Sequence, residues 1–362
     1  MIISDRIQLM RFAMSHWKTI SGLNKRAIGY IGWVGHKNLG DEAMLIAFKS
    51  LFKAHTIFPY SKIKSYPRME SKLRPKELSA IVLGGGTLIN SQGSFDIFKN
   101  TFKNYTNGIK FSFGSGVKNP VFWKNVKGWS NTISEWAQYL KKCEYVSVRG
   151  PLSKEILNDA GLDKVELIGD IALTLAGENM MKKQKRKSVA INIGACSGRL
   201  WGTEELLLQK MTELIYKLIE KDWNITLFSV WDKDVDLINI LIEKVGKPIP
   251  KFEGFRSIAK TLKFLEKCDV VIGMKLHSVI LAHCAYTPAI MLEYRPKCLD
   301  YMLSMNLDKY NVKTDQIEPN HVMSLLNEIY QTSEQYQFFL SGKIKYYKNL
   351  QKQAAINLNK LI

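Results

Sequence analysis

The sequence predicts an α/β protein of two domains, each with a parallel sheet covered by helices on both faces. Its 362 residues exceed what a single hydrophobic core usually organises. Short apolar runs that end at glycine alternate with helical patterns, and this alternation is typical of parallel sheets. A stretch with no apolar period and five basic residues in its last six, 177–187, divides the alternation into two halves and reads as an exposed linker.

The first half contains five predicted strands, each followed by a loop that carries glycine or a polar side chain. In chain order these strands are 27–34, 80–83, 110–113, 145–148 and 165–167. The loops after them are HKNLGDE with a helix from Asp41, then GGG, GSG, Arg149 and GDIAL. Because parallel sheets bind ligands at the carboxyl ends of their strands, these loops are the candidate binding segments.

The second half is organised around the stretch 269–297. Before it come predicted strands at 188–194 and 225–230 and predicted helices at 204–220, 233–245 and about 257–266. The stretch itself reads as a strand 269–273, a helix 276–285 and a strand 288–292. Lys275 and His277 lie where this strand passes into the helix. An ammonium, an imidazole and the positive end of a helix suit a small phosphorylated or carboxylated substrate.

Both ends of the chain have helical patterns. Residues 326–362 are expected to form a helical segment that packs back on the first domain. At the N-terminus, residues 1–26 are expected to form a helical extension. In it, Ile7, Met10, Met14 and Trp17 lie on one apolar face of the helix, with basic residues beside them. Two interpretations stay open: a helix packed on the domain, which we favour, or a basic helix at the inner membrane leaflet.

Composition favours anionic partners. The chain has 52 Lys and Arg against 33 Asp and Glu, a formal charge of +19. No nucleic-acid-binding module is recognisable, so nucleic acid is not an expected partner. Five cysteines without CxxC spacing predict free thiols, neither disulfides nor a zinc site, and no metal site is expected. With no long apolar run and no signal sequence, a cytoplasmic protein is expected.

Further candidates come from the other loops. Asp41 is expected to cap its helix, which leaves Asn38 free for a ligand, and Gly40 lets backbone amides approach that ligand. Arg149 could bind a phosphate or carboxylate through its forked guanidinium, and a structural salt bridge is an equal alternative. The remaining expected substrate-binding residues are Lys275, Gly85, Gly86, Ser278, Arg295 and Lys297.

These segments, in this order, resemble the polysaccharide pyruvyl transferase family. The similar segments are GYIGWVGHKNLGDEAML (29–45), IVLGGGTLIN (81–90), FSFGSGV (111–117), VSVRGPLSKEIL (146–157), IGDIAL (168–173) and the stretch 270–297. Two positions differ from the family pattern: residue 275 is Lys in place of Arg, and residue 150 is Gly in place of an acid.

The resemblance implies a fold like that of GT-B glycosyltransferases, with two Rossmann-like domains facing a cleft. The acceptor domain would be 27–176 and the donor domain 188–325. The implied reaction transfers pyruvyl from phosphoenolpyruvate to two hydroxyls of a sugar in a surface polysaccharide (capsule or exopolysaccharide) or its precursor. Its products are a cyclic ketal and phosphate. Phosphoenolpyruvate is then a donor substrate, and no cofactor is expected.

In this hypothesis His277 is the general acid, because imidazole titrates near working pH, or it donates to the leaving phosphate. Asn38 and Asp41 would orient or deprotonate the acceptor saccharide, whether that acceptor is free or lipid-linked. A lipid-linked acceptor would place the enzyme peripherally at an anionic inner membrane face. The alternatives are a GT-B glycosyltransferase that uses a nucleotide sugar and a non-catalytic basic protein that binds polyanions.

Overall fold

The computed structural model describes residues 3–24, 26–65, 70–178 and 185–362. At residues 3–7, 63–65 and 70–71 it describes the backbone. Most of the linker predicted at 177–187 therefore lies outside the described residues, as does the side chain of Ile7. Within the described chain, no helix has the length and apolar character needed to cross a bilayer.

The N-terminal sheet is parallel throughout and has the order β2-β1-β3-β5-β6-β7, with β4 paired to β5. Its strands are β1 Ala27–Ile31, β2 Thr56–Phe58, β3 Ala80–Leu83, β4 Gly86–Ile89, β5 Ile109–Val117, β6 Tyr145–Val148 and β7 Glu166–Leu167. Along β1, Ile28 and Tyr30 enter one apolar cluster, whereas Ala27 and Ile31 enter another. This alternation buries both faces of the sheet.

The C-terminal sheet is also parallel and has the order β10-β9-β8-β11-β12-β13, which is the Rossmann order 3-2-1-4-5-6. Its strands are β8 Ser188–Asn192, β9 Asn224–Ser229, β10 Lys251–Glu253, β11 Val270–Gly273, β12 Ala289–Glu293 and β13 Asn311–Lys313. The predicted fold class, two Rossmann-like domains facing a cleft, is confirmed.

Helices cover both sheets and join the domains. They are α1 Ile3–Ile20, α2 Leu39–Leu51, α3 Glu70–Leu73, α4 Gln92–Asn104, α5 Pro120–Trp123, α6 Ile133–Leu140, α7 Pro151–Asp159, α8 Glu204–Glu220, α9 Asp234–Val245, α10 Ile258–Leu265, α11 Leu276–Cys284, α12 Pro296–Met305, α13 Pro319–Gln331 and α14 Ser333–Asn359. Short 3₁₀ turns lie at Tyr60–Ser65, Ile171–Leu175, Gly254–Arg256, Asp308–Tyr310 and Thr314–Gln316.

The last two helices correct one predicted boundary. The predicted boundary between the donor domain and the C-terminal segment, at 325/326, falls inside α13. This helix is continuous and packs on α8. The chain turns at Thr332 instead, and α14 then crosses to the first domain. There Gln351 donates to the carbonyl of Ile168, and Asn359 lies against the end of α2.

Helix α1 packs on the first domain, but through residues other than the stripe that the sequence singled out. Leu9 and Phe12 are buried in the N-terminal core, and the Phe12 ring lies 5.7 Å from that of Phe58. Met10 and Met14 are each 65% exposed. Two apolar stripes run along this helix, and the domain covers only one of them.

Candidate functional site

The two sheets present their strand-order reversals to the same space. In the C-terminal sheet the order reverses between β8 and β11, and in the N-terminal sheet between β1 and β3. The loops that leave these strands line one cavity of about 600 Å³ between the domains. In open α/β sheets a reversal of this kind forms the ligand crevice, so this cavity is the candidate active site.

The cavity is strongly cationic. Among the described residues its wall carries one carboxylate side chain, Asp41, and seven basic ones: Lys62, Lys118, Arg149, Arg199, Lys275, Arg295 and Lys297. Like charges held this close in a partly desolvated cleft repel one another unless an anion lies between them. The charge distribution therefore favours a compact ligand with more than one negative group.

At the floor of the cavity, Arg149 and His277 converge on one carboxylate. Asp170 Oδ2 lies 3.4 Å from Arg149 Nη1 and 3.7 Å from His277 Nε2. The other oxygen of Asp170 accepts from the backbone N–H of Ala172 at 2.9 Å and caps the turn Ile171–Leu175. Arg149 Nη2 also donates to Thr87 Oγ1 at 3.3 Å. The salt-bridge alternative for Arg149 is thus present, within a group that still faces the cavity.

Two nitrogen atoms of this cluster keep unused hydrogen-bonding capacity. Within the described protein, neither Arg149 Nε nor His277 Nε2 has a hydrogen-bond partner, although both atoms are buried. A buried polar atom without a partner costs free energy, so such atoms in a cleft mark positions that a ligand satisfies. Arg149 Nε is a donor, and His277 Nε2 is a donor when it carries the ring proton, so both positions suit a phosphate or carboxylate oxygen.

Charge and burial set the protonation states of the cluster. Burial opposes ionisation of Asp170, but His277 and Arg149 outweigh it and hold the pKa of Asp170 below its usual value. Burial lowers the pKa of His277 despite the nearby Asp170 carboxylate. His277 is therefore neutral near pH 7, and it is better prepared to accept a proton than to donate one.

Helix α2 approaches His277 closely because residue 40 is glycine. A Cβ atom at Gly40 would lie 2.0 Å from His277 Nδ1. The start of α2 is held across the cleft, since the Leu39 N–H donates to the Val230 carbonyl at 2.9 Å. One expected role is corrected here: Asn38, not Asp41, is the N-cap, and its side chain accepts from the Gly40 N–H at 3.1 Å. Asn38 nevertheless lines the cavity.

Asp41, freed from capping, lies in the first turn of α2 and faces the cavity. Burial raises its pKa to about 7, against an opposing effect of Lys297. Gly86, at φ +108°, lies beside it, and a Cβ atom there would be 3.6 Å from Asp41 Oδ1. Burial likewise lowers the pKa of Lys297 to about 7. Both side chains therefore change charge in the range where enzymes usually work.

Lys275 lines the cavity, but its ammonium group is already held by protein atoms. Its Nζ donates to the Ala195 carbonyl at 2.5 Å and lies 3.6 Å from Asp234 Oδ1. The rings of Trp231 and Tyr294 lie 5.2 and 5.4 Å from Nζ. Burial raises the pKa of Asp234 to about 6, with Lys275 opposing the shift. Lys275 thus brings a fixed positive charge to the cavity wall.

The structure separates the remaining sequence candidates into two groups. Arg295 and Lys297 line the cavity, and Arg295 donates to the carbonyls of Arg199 and Cys196. Ser278 and Gly85 are buried behind the wall. The Ser278 hydroxyl donates to the Lys275 carbonyl at 2.6 Å, and a Cβ atom at Gly85 would lie 2.2 Å from Met44 Sδ. Both residues contact protein atoms, and neither lines the cavity.

Several residues in the cavity wall or directly behind it were not predicted. Asp170, buried behind the wall, stands in the quoted GDIAL segment, where a strand-end carboxylate was the available signal. Asp234, also buried behind the wall, and Thr87, in the wall, come after predicted strands in the same way, but polar residues at such positions are common. Lys118 and Arg199 lie in loops that carry no motif, so only the fold brings them to the cleft. Among the described residues, no cluster of three His, Cys, Asp or Glu side chains could hold a metal ion.

Fold and site together define a GT-B-like enzyme with a cationic interdomain cleft. The model of the polysaccharide pyruvyl transferase family matches residues 38–296. The chain therefore belongs to the polysaccharide pyruvyl transferase family, which confirms the predicted resemblance and makes the protein a transferase of polysaccharide biosynthesis. No functionally curated protein matches the sequence.

Solved structures resemble this chain in fold. The UDP-GlcNAc 2-epimerase from Neisseria meningitidis, bound to UDP-GlcNAc, is 10% identical with a TM-score of 0.53, and the match covers 92% of this chain and 99% of that one. The Anabaena protein HepE, in complex with UDP-glucose, is 10% identical with a TM-score of 0.55, over 93% and 100% of the two chains. At this identity the likeness establishes the shared fold alone.

Proposed function

We propose that this protein transfers the pyruvyl group of phosphoenolpyruvate to two hydroxyls of a sugar, with formation of a cyclic ketal and release of phosphate. The observation that carries the proposal is the cavity at both strand-order reversals, whose described wall has seven basic side chains and one carboxylate. Phosphoenolpyruvate carries a phosphate and a carboxylate on a three-carbon frame, and this compact polyanion suits the cleft. The acceptor would be a capsule or exopolysaccharide sugar or its precursor.

The reaction balances without an external oxidant, a metal or a cofactor. A proton adds to the methylene carbon, and a sugar hydroxyl forms a C–O bond to the adjacent carbon. The bond from that carbon to the phosphate oxygen then breaks, and the second hydroxyl closes the ring. The two sugar hydroxyls lose one proton each. In the overall balance, the methylene carbon gains one proton as it becomes a methyl group, and the released phosphate gains the other.

The shifted pKa values of Asp41 and His277 divide the two proton transfers between these side chains. Asp41, with a pKa raised to about 7, is partly protonated at neutrality and can give a proton to the methylene carbon. His277, neutral under the same conditions, can accept the hydroxyl proton, with Asp170 stabilising the imidazolium that forms. This division reverses the roles expected from the sequence, where His277 was the acid. Arg149, Lys275 and Lys297 would bind the phosphate and carboxylate.

The test combines purified protein, phosphoenolpyruvate and galactoside- or mannoside-type acceptors. We expect phosphate release that depends on the acceptor, with an acceptor mass increase equal to pyruvate minus water. His277→Gln should abolish it, and a variant with near wild-type rate would exclude His277 from the chemistry. A thermal-shift assay distinguishes this proposal from a GT-B glycosyltransferase that uses a nucleotide sugar, because a ligand stabilises only the state that it binds. Stabilisation by UDP-sugars and none by phosphoenolpyruvate would overturn the proposal.

A further inference from the structure

Helix α1 exposes an apolar stripe that the domain beneath it leaves uncovered. Met10, Met14 and Trp17 follow one another at spacings of four and three residues, so they lie on one helical face. Their exposed fractions are 65%, 65% and 53%. The adjacent stripe, with Leu9 and Phe12, is buried in the N-terminal core. A continuous exposed stripe, unlike single exposed apolar residues, indicates a surface that a partner covers.

The charge around this stripe identifies the chemistry of that partner. From residue 6 to residue 40 the sequence has no Asp or Glu and six basic residues: Arg6, Arg11, Lys18, Lys25, Arg26 and Lys37. Arg11 and Lys18 are exposed and directly follow Met10 and Trp17 along α1. A second copy of the chain would bring the same positive surface and a further net charge of +19. Charge complementarity therefore favours an extended anionic partner with an apolar interior.

We propose that α1 docks the protein on the surface of a bilayer that contains anionic lipids. Met10, Met14 and Trp17 enter the boundary between headgroups and acyl chains, while Arg11 and Lys18 contact lipid phosphates. Indole suits this depth because its ring is apolar and its N–H remains available to polar partners. Four charged residues in the sequence of α1, at positions 5, 6, 11 and 18, are unfavourable in a spanning helix, so the proposed association is peripheral.

The packing of α1 connects this docking surface to the cavity. Phe12 lies against Phe58, the last residue of β2, and the segment that follows β2 supplies Ser61 and Lys62 to the cavity wall. A bilayer bound on the exposed face of α1 is thus connected to that wall through the helix itself, the end of one strand and one turn. The docking proposal stands on the helix itself and does not require the proposed reaction.

The test is co-sedimentation of the full chain with vesicles of phosphatidylcholine alone or mixed with phosphatidylglycerol. We expect binding only to the mixed vesicles. The variant Met10→Gln/Met14→Gln/Trp17→Gln should lose that binding by at least tenfold. The variant Arg11→Gln/Lys18→Gln should weaken it by roughly 25-fold, since each cation near an anionic surface contributes about a factor of five. Phe338→Gln, at a residue of α14 that is 78% exposed, is the matched control and should bind normally.

Each other outcome contradicts the proposal. Equal binding of the stripe variant would mean that the surface adsorbs as a general polycation. Equal binding to both vesicle types would exclude the role of the cations. Self-association that disappears in the stripe variant, without vesicle binding, would assign the stripe to a protein partner. Thermal unfolding and phosphate release from a water-soluble acceptor, expected to be unchanged in the stripe variant, separate docking from folding and from the reaction.

Discussion

Replacement of Asp170 by Asn tests the cluster at the floor of the cavity. The substitution keeps the size of the side chain and an oxygen that can accept from the Ala172 N–H, now at 2.9 Å, so the cap of Ile171–Leu175 is retained. It removes the negative charge that lies 3.4 Å from Arg149 and 3.7 Å from His277. The change is thus confined to the charge and to one acceptor oxygen, which becomes an NH2 group facing Arg149 and His277.

The structure sets the expected magnitudes. Loss of one partner from a buried ion pair costs about 3–5 kcal/mol of unfolding free energy, and we expect about 3 kcal/mol, because Arg149 keeps Thr87 and faces the cavity. An Asp→Asn change beside a catalytic His lowers kcat by about 10⁴ where the two groups are directly hydrogen-bonded. At 3.7 Å the contact is longer, so we expect a loss of roughly 100-fold.

Phosphate release and denaturant unfolding, each measured against pH, check both magnitudes. Asp170 raises the pKa of His277, so its loss should move the acid limb of the rate profile to lower pH. The folded-state pKa of Asp170 lies below 3.8, so this residue contributes stability above that pH and loses it as pH falls. The variant should therefore lose less stability than the wild type in strong acid.

Asp300→Asn is the matched control. Asp300 is also buried and accepts from the Ser153 hydroxyl at 2.6 Å, whereas Asp170 is the carboxylate that lies beside His277. It should lose stability while kcat and the pH profile stay near those of the wild type. If Asp170→Asn loses only stability, as Asp300→Asn does, Asp170 has no positioning role toward His277.

Three further predictions concern the cavity wall. Gly40→Ala should displace the His277 ring, because the new Cβ would lie 2.0 Å from Nδ1, and phosphate release should show a kcat at least tenfold lower. The control, Gly93→Ala, has open space around its Cβ and should keep full activity. Phosphoenolpyruvate affinity should fall as pH rises through about 7, where Lys297 loses its charge and Asp41 gains one, and Lys297→Arg should reduce this dependence to the part due to Asp41 in a titration. At saturating phosphoenolpyruvate, where the charge of Lys297 no longer limits binding, Asp41→Asn should lower kcat and remove the basic limb of the kcat profile, which reports the acid with pKa about 7; an unchanged limb would assign it to another group.

The strands and helices that the sequence predicted closely are those with strong local signals. The strands Ala80–Leu83 and Tyr145–Val148 and the helix Glu204–Glu220 were predicted with the observed bounds. Each is an apolar or amphipathic run with a clear stop. The short strand β4, Gly86–Ile89, was not predicted, because its glycine start resembles a turn and its pairing with β5 is non-local.

Where two local solutions are equally good, tertiary contacts decide. Asn38 and Asp41 are both favoured N-cap residues, and the sequence alone placed the cap at Asp41. The Leu39 N–H bond to Val230, in the other domain, fixes the start of α2 earlier and turns Asp41 into the cavity. In α1 the two neighbouring apolar stripes have the same period, and only packing shows which one is buried.

Site residues that directly follow a predicted strand could be predicted from the sequence. Site residues whose position depends on a distant segment could not. Lys275, His277 and Arg149 follow from the sheet-edge argument. The placement of Asp170 also depends on α14, where the fully buried Gln351 donates from Nε2 to the carbonyls of both Ile168 and Asp170. The C-terminal helix thus holds the backbone that carries the carboxylate between Arg149 and His277. Because no local pattern joins residue 351 to residue 170, the geometry of this cluster emerges only when both domains and the last helix are assembled.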